Sequence, residues 1–288
     1  MPSVTSVPLW WGFGRITNNT RMFLGDFPIL MPAVKIAFRI SICWATDNLN
    51  LMFNMKFTPL LIAAMALGAS SASAVLYSGN GGTSFGGVVS SIDITNNATN
   101  ITFTLNRGPG LLSDALVIYI DSVTGGSSST TNFTDNGDPL RASLSGRGVS
   151  SGVSVVTFPT GFTVDYGIAL NGGFSGVWGL VNSGSHNFLA TANGAPGGNA
   201  QTSYVMTTTL ASLGLTVGNT LRFVATYLNA DNAFRSNEGV GDGLPPGTTN
   251  VGVNPASFTA SRSYTVVPEP TSVAFLSLLG LTALRRRR

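Results

Sequence analysis

Cysteine and lysine are both missing from the stretch between Val75 and Val267. The single cysteine of the 288-residue chain is Cys43. Its absence downstream excludes disulfide bridges, a thiol nucleophile and a cysteine-ligated zinc site from that stretch. Charge is scarce as well: six arginines face nine acids there, a net of −3, so the +3 of the whole chain comes from its two ends. Six scattered arginines build no clustered basic face, which argues against nucleic acid as a partner. Histidine occurs once, at His186 in "NSGSHNF". With no partner serine or cysteine motif it reads as a turn or strand residue rather than a general base. Stability must therefore come from a hydrophobic core, and about 190 residues suffice to bury one.

What the stretch does contain is β-formers in short runs, separated by Gly, Ser, Asn and Pro. Ile101 to Arg107, Ala115 to Ser122, Val153 to Pro159, Asp165 to Gly172, Phe174 to Val181, His186 to Ala192, Leu221 to Ala230 and Ser257 to Val267 are candidate strands, several alternating with period two. Leu210 to Leu215 is the one place for a helical turn. The recurring Val, Ile, Leu, Phe and Tyr argue against disorder, and no fixed-period repeat suggests a solenoid. The expected class is all-β: a single antiparallel β-sandwich of jelly-roll or immunoglobulin-like type over residues 75–266.

The ends read differently. "MKFTPLLIAAMALGASSASA", Met55 to Ala74, has the positive start (Lys56), apolar centre (Pro59 to Leu67) and small-residue cleavage site (Ala72-Ser73-Ala74) of a secretory signal peptide. A signal helix is thus expected over 55–74, removed by signal peptidase. Residues 1–54 precede it without sustained periodicity, and Lys35 and Arg39 interrupt their most apolar part. They are expected to be a non-native or disordered extension, with Met52 or Met55 the true start.

At the other end, residues 267–288 read "VPEPTSVAFLSLLGLTALRRRR". The apolar run from Val273 to Leu284, even counted from Thr271, makes a helix of only about 21 Å against about 30 Å of hydrocarbon. Arg285, Arg286, Arg287 and Arg288 would stay cytoplasmic while snorkelling offsets part of the shortfall. Pro268 and Pro270 hold the preceding segment extended and keep Glu269 out of a helix. Motif, apolar segment and arginine cluster in this order, paired with a signal peptide, resemble the PEP-CTERM sorting signal. The resemblance implies transient membrane association through the C-terminal helix, cleavage near Pro268-Glu269-Pro270 by an exosortase, and delivery to the cell surface or an extracellular polysaccharide matrix.

Inside the body, "LVIYIDSVTGG" and "TVDYGIALNGG" are similar to family 9-like carbohydrate-binding (DOMON-type) sandwiches, and Tyr119, Asp121, Asp165 and Tyr166 match that pattern. With Trp178, the only tryptophan of the body, they are the candidate ligand-binding residues, although a lone aromatic in a strand run more commonly packs in the core. Glycoside hydrolysis needs two carboxylates across a cleft. Asp121 and Asp165 could form such a pair, yet both sit at strand ends where capping turns is the commoner role. No cofactor is expected. Asp231, Asn232, Glu238 and Asp242 offer oxygen ligands of the kind calcium takes, but in no EF-hand register, so a solvated loop is the preferred reading. "DNGDP", with Asp135 and Asp138, reads as a turn. The leading expectation is a non-enzymatic surface or matrix protein, ahead of a carbohydrate-binding module and then a polysaccharide hydrolase.

Overall fold

The computed structural model describes residues 74–268. The extension 1–54, the signal segment up to Ser73 and the tail from Glu269 to Arg288, with Ala72, Glu269, Pro270 and the four terminal arginines, lie outside the described residues. Ala74 and Pro268 are described, and both are exposed.

The described residues fold mainly as antiparallel sheets. Among the described residues thirteen strands run in order: β1 Val75–Ser78, β2 Val89–Asn96, β3 Asn100–Arg107, β4 Ala115–Asp121, β5 Val156–Thr157, β6 Tyr166–Leu170, β7 Ser175–Gly179, β8 Asn187–Asn193, β9 Ser203–Thr209, β10 Thr220–Leu228, β11 Arg235–Val240, β12 Ala256–Ser257 and β13 Arg262–Thr265. One sheet has the order β1-β2-β3-β9. The larger has β11-β10-β4-β6-β7-β8, with β13 sharing the outer edge of β10 with β11. β5 and β12 make a small parallel pair. A single helix, α1 Pro139–Leu144, and a 3-10 turn at Ala211–Leu213 complete the described elements.

Period-two patterning explains how the two sheets meet. In β3, Ile101, Phe103 and Leu105 are fully buried while Thr102 and Thr104 point outward, and Thr102 meets Thr207 of β9 through their hydroxyls at 2.9 Å. Ile92 and Ile94 of β2 and Tyr204 and Met206 of β9 extend that apolar face. It packs on Leu116, Ile118, Ile120, Ile168, Leu170, Leu221 and Phe223 of the larger sheet in one continuous cluster.

The larger sheet is buried on its other face too, which departs from the expectation of one two-layer sandwich. Every residue of β4 is buried. "ALVIYID" is apolar at almost every position rather than alternating, the pattern of a strand covered on both sides. Ala115, Val117, Tyr119, Ala169, Trp178, Val224 and Leu228 form the floor of a second cluster, roofed by Phe133, Leu140, Leu144, Phe158, Phe162 and Phe258. This roof, a cap of α1, β5, β12 and their loops, is a third layer. Gly167 lets it seat: a Cβ there would lie 2.3 Å from Leu144 Cδ2.

The cap was hidden in "DNGDP". Asp138 has extended backbone and its Oδ1 accepts from Leu140 N (2.9 Å) and Arg141 N (3.0 Å), an N-cap followed by proline at the first helical position. The expected strand Val153 to Pro159 shrinks to the two residues of β5. The expected strand Ser257 to Val267 divides into β12 and β13. Among the described residues no helix is long and apolar enough to cross a membrane.

The two ends of the described body meet. β1 pairs with β2 so that Val75 lies opposite Ile94. Two residues further along β2, Asn96 grips Val267: its Nδ2 donates to Val267 O (2.8 Å) and its Oδ1 accepts from Val267 N (3.1 Å) and from Tyr264 Oη (2.7 Å).

Candidate functional site

β10, β4 and β6 lie side by side, with β4 antiparallel to both neighbours. They carry polar residues at both ends, and the two ends do different work.

One end gathers the residues singled out in the sequence. Arg222 lies opposite Asp121 across β10 and β4, and their side chains form an ion pair. Asp121 also accepts from Thr163 N at 3.2 Å. Asp165 accepts from Ser122 N and Val123 N, both at 3.1 Å. Burial, with Asp121 nearby, raises the Asp165 carboxyl above its ordinary pKa against those two hydrogen bonds. The two carboxylates are therefore neighbours, and each anchors a loop. Tyr119 is fully buried, donates to Leu144 O at 2.8 Å, and its phenol is pushed up to about 12 by burial. Tyr166, half-buried, packs against the core between the sheets. Trp178 is 3% exposed within the second cluster. None of the three presents a free ring to solvent.

The other end of the same strands opens into a cleft of about 340 Å³, lined by Ser113, Asp114, Ala115, Pro139, Val149, Asn171, Asn229, Ala230 and Asp231. Register explains its rim. Leu228 pairs with Ala115 and Leu116 with Leu170, so Asn229, Asp114 and Asn171 follow in a row where the three strands end. Asn229 Nδ2 donates to Asp114 Oδ1 at 2.7 Å, and Asn229 Oδ1 accepts from Asp231 N and Asn232 N. Burial raises the pKa of Asp114, and the Asn229 bond partly counters it. Asp231 accepts from Ser150 Oγ. Asn171 closes the hairpin to β7, its Oδ1 accepting from Gly173 N and Phe174 N at 2.9 Å. Two carboxylates and two amides around small apolar side chains offer hydrogen-bond acceptors and donors to a polar ligand and disfavour an anion. Sequence reading passed over Asp114, Asn171 and Asn229. The available signal was that each directly flanks a core strand.

His186 stands directly before β8 and has Ser145 beside it, a partner that no sequence motif announces. Its Nε2 lies 3.0 Å from Ser145 Oγ, and Asp135 accepts from the backbone N of His186 at 2.7 Å. All three residues are buried. The members of a hydrolytic triad are present in the wrong relation. Nδ1 accepts from Val181 N at 3.2 Å, so the neutral ring carries its proton on Nε2 and donates it to Ser145. It has no lone pair there to deprotonate the hydroxyl. Burial lowers the His186 pKa, Asp135 raises it and Arg141 lowers it further.

Half of the acidic segment from Asp231 to Asp242, expected as a solvated loop, is a buried strand, Arg235–Val240. Arg235, Ser236, Asn237 and Glu238 of β11 are all fully buried. Glu238 accepts from Phe85 N (2.7 Å), Gly87 N (3.1 Å) and Val88 N (2.6 Å). Asp242 instead pairs with Arg262 at 2.7 Å. Asp231, Asn232, Glu238 and Asp242 thus serve separate structures, and among the described residues no group of three or more His, Cys, Asp or Glu is placed to hold a metal ion.

No family model, curated protein or solved structure matches this chain.

Proposed function

We propose that this is an exported cell-surface or extracellular-matrix protein whose body, an elaborated β-sandwich with a cap, binds rather than catalyses. The observation that carries the reading is where the two expected processing points fall. β1 begins at Val75, directly after the small-residue cleavage site, and Asn96 holds the chain through Val267, directly before Pro268. Removal of both ends would therefore leave the body whole. Partners under this reading are signal peptidase and an exosortase during maturation, and the surrounding polysaccharide afterwards. Engagement of Asp121, Asp165 and His186 in holding the fold favours binding over hydrolysis.

Intact-mass measurement and terminal peptide mapping of the protein from medium, cell surface and membrane fractions test this. A mature form starting at Val75 and ending near Pro268 is expected. A membrane-bound product retaining Arg285 to Arg288 would make the tail a permanent anchor and refute the sorting step.

A further inference from the structure

Between Asp165 and Arg222 the chain contains no Asp, Glu, Lys or Arg. This uncharged segment supplies β6 to β9 and, on the cap side of the larger sheet, an aromatic surface. Phe188 is 56% exposed although it stands in a strand. Trp178, opposite it in register, lies beneath: the ring centroids are 5.6 Å apart at 68°. The half-buried Phe174 flanks Phe188 at 6.4 Å and 34°. Gly176 leaves room for this layering, because a Cβ there would sit 2.6 Å from Trp178 Cη2 and 3.0 Å from Phe188 Cε2. A buried indole thus props a phenyl ring outward.

The aromatic surface runs toward the cleft. Phe174 faces Asn171 across the two-residue turn, with Asn171 N donating to Phe174 O at 3.0 Å, and Asn171 lines the cleft. From Ala115 on β4 to Phe188 on β8 the sheet crosses three strand spacings, about 14 Å. Along it come carboxylate and amide groups first and aromatic rings second. Asp114 and Asp231 each keep one carboxylate oxygen without a protein donor among the described residues.

We propose that this strip, from Asp114, Asn229 and Asp231 through Asn171 and Phe174 to Phe188, binds a segment of a neutral polysaccharide. The ligand class follows from the surface. Hydroxyl groups match the free carboxylate oxygens and amides, and the apolar C–H face of a sugar ring matches an exposed phenyl. Asp114 and Asp231 repel an acidic polymer, and the cleft has no basic side chain to offset them. The inference rests on the reading of the body as a binding domain and names what it binds.

Titration calorimetry of the full chain with neutral hexasaccharides of glucose and of N-acetylglucosamine, with polygalacturonate as acidic comparator, tests it. At least one neutral hexasaccharide binds, polygalacturonate does not, Phe188→Ala weakens binding tenfold or more with its melting temperature unchanged, and Phe188→Trp restores it. Asp231→Asn weakens binding to a smaller extent. Silence with every neutral probe, equal affinity for polygalacturonate, or indifference to Phe188→Ala each overturns the assignment. So does sedimentation showing that Phe188→Ala converts a dimer to a monomer, since the strip would then meet a second copy. None of these results alters the peptide map that tests export.

Discussion

Protonating His186 would set two hydrogens against each other, because its Nδ1 already accepts the Val181 N–H. The unfolded imidazole titrates near its ordinary value of about 6.5, and burial holds the folded value lower. The unfolded chain therefore takes up the proton first. This contribution to stability is complete above about pH 6.5 and is lost as pH falls toward the folded value. Thermal unfolding between pH 7.5 and 5 should show a declining melting temperature, and His186→Gln should flatten the decline; an unchanged slope would assign it to other groups. Glu238 is the second residue to test. Glu238→Gln replaces one acceptor with a donor among three converging N–H groups, so urea unfolding should register a loss of about 1–3 kcal/mol. Neither role was visible in the sequence. "RSNEGV" reads as loop because its side chains are polar, yet Arg235 finds Ser154 and Thr226, and Glu238 finds three backbone amides from a segment some 150 residues earlier. Period and composition do not encode partners at that separation.

Elements with an apolar period were legible. β3, β4, β6, β7, β8 and β10 stand within a residue or two of the runs that announced them, and the helical turn near Leu210 is there as a 3-10 turn. β2 and β9 were missed although Ile92, Ile94, Tyr204 and Met206 alternate correctly, since only two such residues mark each, Asp93 and the exposed Val205 stand between them, and Ser, Thr and Asn fill most of the remaining positions. α1 escaped because six residues give less than two turns of periodicity, so only its cap could betray it. That cap is testable. Asp138→Ala removes two backbone bonds and its 2.5 Å contact with Arg141 Nε, and should cost about 1 kcal/mol in urea unfolding. Gly167→Val should cost more, because the new side chain occupies the space of Leu144. A neutral result for Gly167→Val would mean that the helix rides loosely on the sheet.

For the molecule as a whole, the class was readable and the layering was not. Alternation at β3 pointed to a sheet with one wet face, whereas unbroken apolarity at β4 carried the cap, and the site followed the same division. The carboxylates marked by a family-like pattern lie at one pole, tied into loops, while the cleft lies at the opposite pole where the strands run out. Val266 donates to Asn219 O and accepts from Gly218 N, both at 2.8 Å, just ahead of β10, and the Asn96 grip on Val267 follows at once. Asn229 stands past the far end of the nine residues of β10, ten residues from Asn219 and about 33 Å away. Both ends of the body thus leave from one pole, and a circular permutant joining Val267 to Val75 through a short linker should fold with an unchanged urea midpoint. Within the described body the two ends and the cleft are thus set at opposite poles, so a fusion joined through either end should leave ligand binding at the cleft unchanged, as titration of such a fusion would check.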